Sequence, residues 1–146
     1  MQLTIFTDYG LRSLMYLASR PDKQCSVREI AEHYGISRNH LVKVVHRLGQ
    51  LGYIVSSKGK GGGIRLAINA NELKLGDLIQ KLEPNMHIVE CFSNELNKCK
   101  ITNSCKLKHY LYEANMNFIK TLNNYSLNDT VKDTQLIKPF PNKPLI

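Results

Sequence analysis

Residues 26–48 read Ser26-Val-Arg-Glu-Ile-Ala-Glu-His-Tyr-Gly35-Ile-Ser37-Arg-Asn-His-Leu-Val-Lys-Val-Val-His-Arg-Leu48. Ser26 followed three residues later by Glu29 is a capping box, in which each side chain satisfies a backbone N–H of the other, so a helix opens at Val27. Val27, Ile30 and Ala31 face inward along it, and Gly35 supplies the left-handed residue that ends it. Ser37 caps a second helix. Within that helix Leu41, Val44, Val45 and Leu48 recur at core spacing, while Arg38, Asn39, His40, Lys43, His46 and Arg47 fill the remaining positions. Two short helices about a tight glycine turn, the second apolar on one side and basic on the other, predict a helix-turn-helix.

Outward from this unit the chain supplies the supporting elements. Beyond Gly52, Tyr53-Ile54-Val55 reads as a strand and Ile64, Leu66 and Ile68 alternate as a second. Ser56-Ser-Lys-Gly-Lys-Gly-Gly-Gly63 joins them as a hairpin with a flexible, basic tip. On the other side, Thr7 is the expected N-cap of a core helix in which Leu11, Leu14, Met15 and Ala18 fall at i, i+3, i+4 and i+7, ending near Pro21. Leu75, Leu78, Ile79 and Leu82 mark a further helix closed by Pro84. Residues 85–104 lack periodicity and read as a loop. From Lys106, apolar residues at Leu107, Tyr110, Leu111, Ala114, Phe118 and Leu122 sustain a stripe over about four to five turns. That is longer than a small domain needs for its own core, so it points to a partner helix. The last stretch is polar, carries Pro139, Pro141 and Pro144, and is expected to be poorly ordered. The predicted organisation is a winged helix-turn-helix domain over 1–83, a cysteine-rich loop over 84–105, a long helix over 106–125 and a flexible tail over 126–146. The fold class is mainly α with a two-stranded β-hairpin wing.

Composition fits this reading. The 146 residues hold 20 Lys and Arg against 12 Asp and Glu, a formal charge of +8 with a pI near 9.4, which favours a polyanionic partner. The excess is local: residues 1–66 hold ten basic and four acidic residues, and Tyr34–Leu66 holds six basic residues and no acidic one. Neither a secretory signal nor an apolar run of membrane-spanning length is visible, so the expected setting is cytoplasmic and not membrane-bound.

A recognition helix offers side chains near its N-terminus to base edges in the major groove, and Asn39, His40 and Lys43 lie there. Ser37 and the helix N-terminus suit phosphate contacts, and Arg38 joins the DNA-binding residues on the exposed basic face. Lys58 and Lys60 supply charge to phosphates or to an adjacent minor groove from a wing whose glycines let the backbone approach the duplex. Arg28, on the first helix of the pair, would meet the DNA backbone. His33 and His46 read as surface or packing residues. No nucleophile triad, carboxylate pair or phosphate loop is present to support enzyme chemistry.

Four cysteines are unevenly placed: Cys91, Cys99 and Cys105 crowd into 15 residues and Cys25 stands apart. Three thiols leave one unpaired in any disulfide scheme, and their spacing is too wide for a zinc ribbon or finger. Three thiolates in an irregular loop that enters a helix at its N-terminus suit a soft metal centre, the helix dipole helping to hold their charge. An iron–sulfur cluster takes four protein ligands. For the fourth, Glu90, Glu95 and His109 are near in sequence and Asp8 is distant. Cys25, just before the capping box, reads as a buried structural thiol.

Together, Phe6-Thr-Asp-Tyr-Gly-Leu-Arg12, Val27-Arg-Glu-Ile-Ala31, Ser37-Arg-Asn-His-Leu-Val-Lys43, the wing Lys58-Gly-Lys-Gly-Gly-Gly-Ile-Arg-Leu66 and the three clustered cysteines resemble the Rrf-type winged-helix iron–sulfur transcriptional regulators over about residues 1–125. The similarity is closer to the family's nitric-oxide-sensing repressors than to its cluster-biogenesis regulators. It implies a homodimer with a winged helix at each end and a long helix crossing to its mate. It also implies a 4Fe-4S or 2Fe-2S cluster on Cys91, Cys99 and Cys105, binding to a pseudo-palindromic operator in double-stranded DNA, and nitric oxide as the signal. In the nitric-oxide sensors the fourth ligand is an aspartate of the first helix from the other subunit, which matches Asp8 here. In the biogenesis regulators it is a histidine three residues past the last cysteine, a position that Lys108 occupies here with His109 one later. The competing expectations are a sensor of iron or cluster supply, and an iron–sulfur electron carrier without preference for particular DNA.

Overall fold

The computed structural model describes residues 2–132; Pro139, Pro141 and Pro144 of the expected tail lie outside them. In chain order the elements are α1 (Ile5–Ala18), α2 (Val27–Tyr34), α3 (Arg38–Gln50), β1 (Ile54–Ser57), β2 (Gly63–Leu66), α4 (Leu75–Leu82) and α5 (Lys106–Leu122), with short 3-10 turns at Glu90–Phe92 and Asn128–Thr130.

The capping box forms as the residues require: Ser26 Oγ accepts from Glu29 N at 3.0 Å and Glu29 Oε2 accepts from Ser26 N at 3.4 Å. Gly35 then ends α2 at φ 63°, a conformation that costs a side-chain-bearing residue about 1 kcal/mol. The start of α1 differs from expectation. Its cap is Thr4, whose Oγ1 accepts from Thr7 N at 3.2 Å, and Thr7 lies fully buried inside the first turn. Thr4 is favoured because its own N–H donates to Glu83 Oε1 at 2.6 Å, tying the start of α1 to the end of α4.

Leu14 and Leu17 of α1, Ile30 of α2, Leu41, Val44 and Leu48 of α3, and Leu78 of α4 form one core, each essentially without solvent contact. Burial of each is worth about 1.5–3 kcal/mol. Helix α1 packs on α3, α4 and β2, so it is the element around which the domain is assembled.

β1 and β2 pair antiparallel with Ile54 opposite Leu66 and Ser57 opposite Gly63. The ladder has a third, single-residue rung: Cys25 N donates to Ile64 O at 3.0 Å and Ile64 N to Cys25 O at 2.8 Å. Cys25 is fully buried there, and burial pushes its thiol pKa up. It is a structural residue that roots the wing at the entrance to α2.

Residues 126–132, expected as the start of a flexible tail, are held to the domain. Leu127 is completely buried and its N–H donates to Leu73 O at 2.7 Å, while Leu75 N donates to Tyr125 O at 3.0 Å. One apolar side chain inserted into the core offsets the entropy of ordering the segment, a pairing across more than fifty residues that local polarity hides.

Helix α5 has two faces. Lys108, Tyr112, Asn115, Ile119 and Leu122 line the side turned to its own chain, with Ile119 buried where α5 packs on α4. Apart from Leu122, the stripe read from the sequence faces elsewhere: Leu107 and Tyr110 are 62% and 60% exposed, and Leu111 and Phe118 are half-buried. Among the described residues no helix is long and apolar enough to cross a membrane.

Candidate nucleic-acid interface and cysteine loop

Helix α3 turns Leu41, Val44 and Leu48 into the core, which leaves Arg38, Asn39, His40, Lys43, His46 and Arg47 exposed. Ser37 occupies the N-cap but its side chain makes no capping bond, so the hydroxyl and the first backbone N–H groups of α3 stand free for an anionic acceptor. The first turn carries no acidic residue. The two carboxylates of α2 are already engaged, Glu29 with Lys23 and Tyr16 and Glu32 with Arg28 at 2.7 Å. Arg28 is exposed and spends its guanidinium on that pair within α2, a weak surface interaction that a phosphate can displace. Lys58 and Lys60 are exposed at the wing tip, where Gly59 and Gly61 take φ of 96° and 83°.

Two further residues join this surface. Val42 is 49% exposed in the middle of the basic face, and Arg65 is exposed on β2 opposite the exposed Val55. Val42 was obscured because an apolar residue in an amphipathic helix reads as core; its offset by one from Leu41 was the available signal.

The cysteine loop runs back along α5. Cys91 sits in the 3-10 turn Glu90–Phe92, Cys99 N donates to Asn97 Oδ1 at 3.1 Å, and Cys105 is the N-cap of α5, its Sγ accepting from Lys108 N at 3.4 Å. All three thiols are unpaired and half-buried. Among the described residues no three His, Cys, Asp or Glu side chains converge within one chain to hold a metal ion. Asp8 faces outward on α1, both oxygens on Arg12: Nε donates to Oδ1 at 2.9 Å and Nη2 lies 2.8 Å from Oδ2. Glu90, Glu95 and His109 are exposed, and the His109 ring lies 6.3 Å from that of Tyr110. The donor set, three free thiols on irregular backbone with one at a helix N-terminus, fits an iron–sulfur group in its chemistry and lacks a fourth thiol in the same loop.

Comparison with known proteins agrees with this arrangement. The family described as Rrf2, iron-dependent transcriptional regulator, matches residues 3–133. The HTH-type transcriptional regulator NsrR of Bacillus subtilis is 46% identical over 136 residues, covering 92% of this chain and 93% of that protein. Among solved structures, oxidised CymR of Staphylococcus aureus is similar at a TM-score of 0.70 with 26% identity, covering 90% of this chain and 97% of the other. IscR of T. potens shares the fold at a TM-score of 0.73 with 23% identity, over 91% and 88% of the two chains.

Proposed function

Because the chain belongs to the Rrf2 family of transcriptional regulators, we propose that it is a nitric-oxide-sensitive repressor that binds a pseudo-palindromic operator as a homodimer, under the control of an iron–sulfur cluster. It is a regulator and not an enzyme. One observation carries the reading: the acid-free surface of α3 and the wing shares a single packed core with α1, the helix that bears Asp8. Asn39, His40 and Lys43 would face the major groove, with Ser37, Arg38, Arg28, Lys58 and Lys60 on or beside the phosphates. A dimer sets the distance between two such helices, so operator affinity responds to small rotations of α1.

Cys91, Cys99 and Cys105 would hold the cluster, 4Fe-4S or 2Fe-2S, with Asp8 contributed by the other subunit. When bound, the cluster supplies iron that nitric oxide attacks. The chain's own part is the choice open to Asp8, whose carboxylate either pairs with Arg12 inside its helix or is given up to the neighbouring subunit. Only the second choice would tie α1 to the partner, and because α1 packs on α3 that tie would bear on the recognition helix. The open stripe headed by Leu107 and Tyr110 supports dimerisation along α5.

The test is operator binding by anaerobically purified protein, on a sequence selected from random duplexes. Iron and sulfide should co-purify, and nitric oxide should abolish binding. Full operator affinity after nitric oxide exposure would overturn the reading.

A further inference from the structure

The loop that carries the cysteines touches α5 at successive levels in reverse order. Asn115 Nδ2 donates to Met86 O at 2.9 Å. One turn nearer the helix start, the Tyr112 ring meets that of Phe92 edge-on, centroids 6.2 Å apart at 71°. A further turn on, Lys108 Nζ lies 3.4 Å from Thr102 Oγ1, and the run ends where Cys105 caps the helix. Asn115, Tyr112, Lys108 and Cys105 lie three to four residues apart and so share one face. Phe92 is the residue after Cys91, so the tyrosine contact bears directly on where that thiol stands.

Asn115 also carries a cost. Its Oδ1 is buried without a hydrogen-bond partner among the described residues, a penalty that an apolar residue at this half-buried position would avoid. The bond to Met86 offsets the penalty. The tie at Tyr112 is aromatic, and an aromatic pair of this geometry has a defined preferred offset, so it sets register as well as proximity.

Resting on the cluster reading above, we propose that this face of α5 is a template that registers the ligand loop before any cluster is present, with Tyr112 and Asn115 as positioning residues for Cys91. The three cysteines span a 15-residue irregular segment whose free ends would otherwise sample many separations. Anchors at Met86, Phe92 and Thr102 divide the segment into short arcs, each with little freedom left, so assembly meets a loop already near its bound path.

The experiment compares wild type with Tyr112→Ala, Tyr112→Phe and Asn115→Ala as full-length, cluster-free protein under anaerobic conditions. Amide hydrogen exchange at residues 86–93 should rise about fivefold in each alanine variant, the size expected for losing one aromatic pair or one hydrogen bond, and Tyr112→Phe should stay at the wild-type rate. Ferric iron, sulfide and a thiol reductant, which together supply both iron oxidation states, are then added, and the visible absorbance of iron–thiolate bonds is followed. Both alanine variants should load several-fold more slowly, with Tyr112→Phe restoring the rate. Faster exchange with unchanged loading would make Tyr112 merely structural and overturn the proposal, as would no change in either measurement. Wild-type protein that takes up no iron and sulfide would instead sink the cluster reading and this proposal with it, while normal wild-type loading matched by the alanine variants would sink this proposal alone.

Discussion

Asp77 and Asn123 close on each other across the joint between α4 and α5: Asp77 N donates to Asn123 Oδ1 at 3.0 Å and Asn123 Nδ2 donates to Asp77 Oδ1 at 2.9 Å. The N-cap of α4, Lys74, offers no side-chain acceptor, so Asn123 caps that helix from 46 residues away. Removing a cap costs about 1–2 kcal/mol, and Asn123→Ala should lower the melting temperature by roughly 3–8 °C. Gly76→Ala should do more, because a Cβ there would stand 2.6 Å from Ile119 O, in the backbone of α5. Calorimetry of both variants checks this, and a Gly76→Ala protein that melts at the wild-type temperature would contradict the docking of α5 on α4.

Asp8 and Arg12 make a well-formed pair that contributes little to folding. Both side chains are more than 40% exposed and sit one helical turn apart, where such pairs are worth about 0.3–0.5 kcal/mol. Asp8→Ala should therefore leave the urea midpoint almost unmoved while shortening the lifetime of bound iron and sulfide. Unchanged iron retention in Asp8→Ala would remove Asp8 from the ligand set and return the choice to His109, Glu90 or Glu95.

Periodicity and capping chemistry are local, which is why α2, the Gly35 turn, α3 and the hairpin were legible from residues 26–66 alone. What the sequence concealed was set at long range. Thr4 and Thr7 are equivalent caps until Glu83 pairs with Thr4. Leu127 reads as a lone apolar residue in a polar run until Leu73 receives its N–H. On α5 the apolar stripe drew attention to the open face, whereas the face that holds the loop is built from Lys108, Tyr112 and Asn115, residues with no common hydropathy. The candidate site was legible as types and spacings. Which side chains meet depends on a second subunit for Asp8, and a single chain's pattern does not contain that.

Base reading and phosphate binding separate by salt dependence. Lys58 and Lys60 sit on the wing without carboxylate partners among the described ion pairs, so replacing either with Ala should weaken all duplexes alike and reduce the slope of log affinity against log salt by about one per charge removed. Asn39→Ala should leave that slope unchanged and relax preference at one position per half-site, by about 1–3 kcal/mol. Fluorescence titrations at several salt concentrations distinguish the two. A salt slope that falls in Asn39→Ala as it does in Lys60→Ala would place Asn39 on phosphate.

Acid should unfold the protein partly through Glu29 and Asp129. Hydrogen bonds from Lys23 first, then from Tyr16, hold the Glu29 carboxyl below its ordinary pKa, and bonds from Ser126 N and Oγ do the same for Asp129. A carboxylate with a lowered folded-state pKa contributes stability that is complete above its unfolded value, near pH 4, and is lost as pH falls through the folded value. The Glu29 side chain is 33% exposed, which keeps the contribution modest. Urea midpoints measured at pH 6 and pH 3 should differ less in Glu29→Gln than in wild type, because the variant has no charge there to lose. At pH 6 Glu29→Gln should be the less stable of the two, since Lys23 and Ser26 N lose an anionic acceptor, and at pH 3 the two should converge. An equal pH dependence in both proteins would show that Lys23, Tyr16 and Ser26 together favour the Glu29 carboxylate no more than the unfolded chain does.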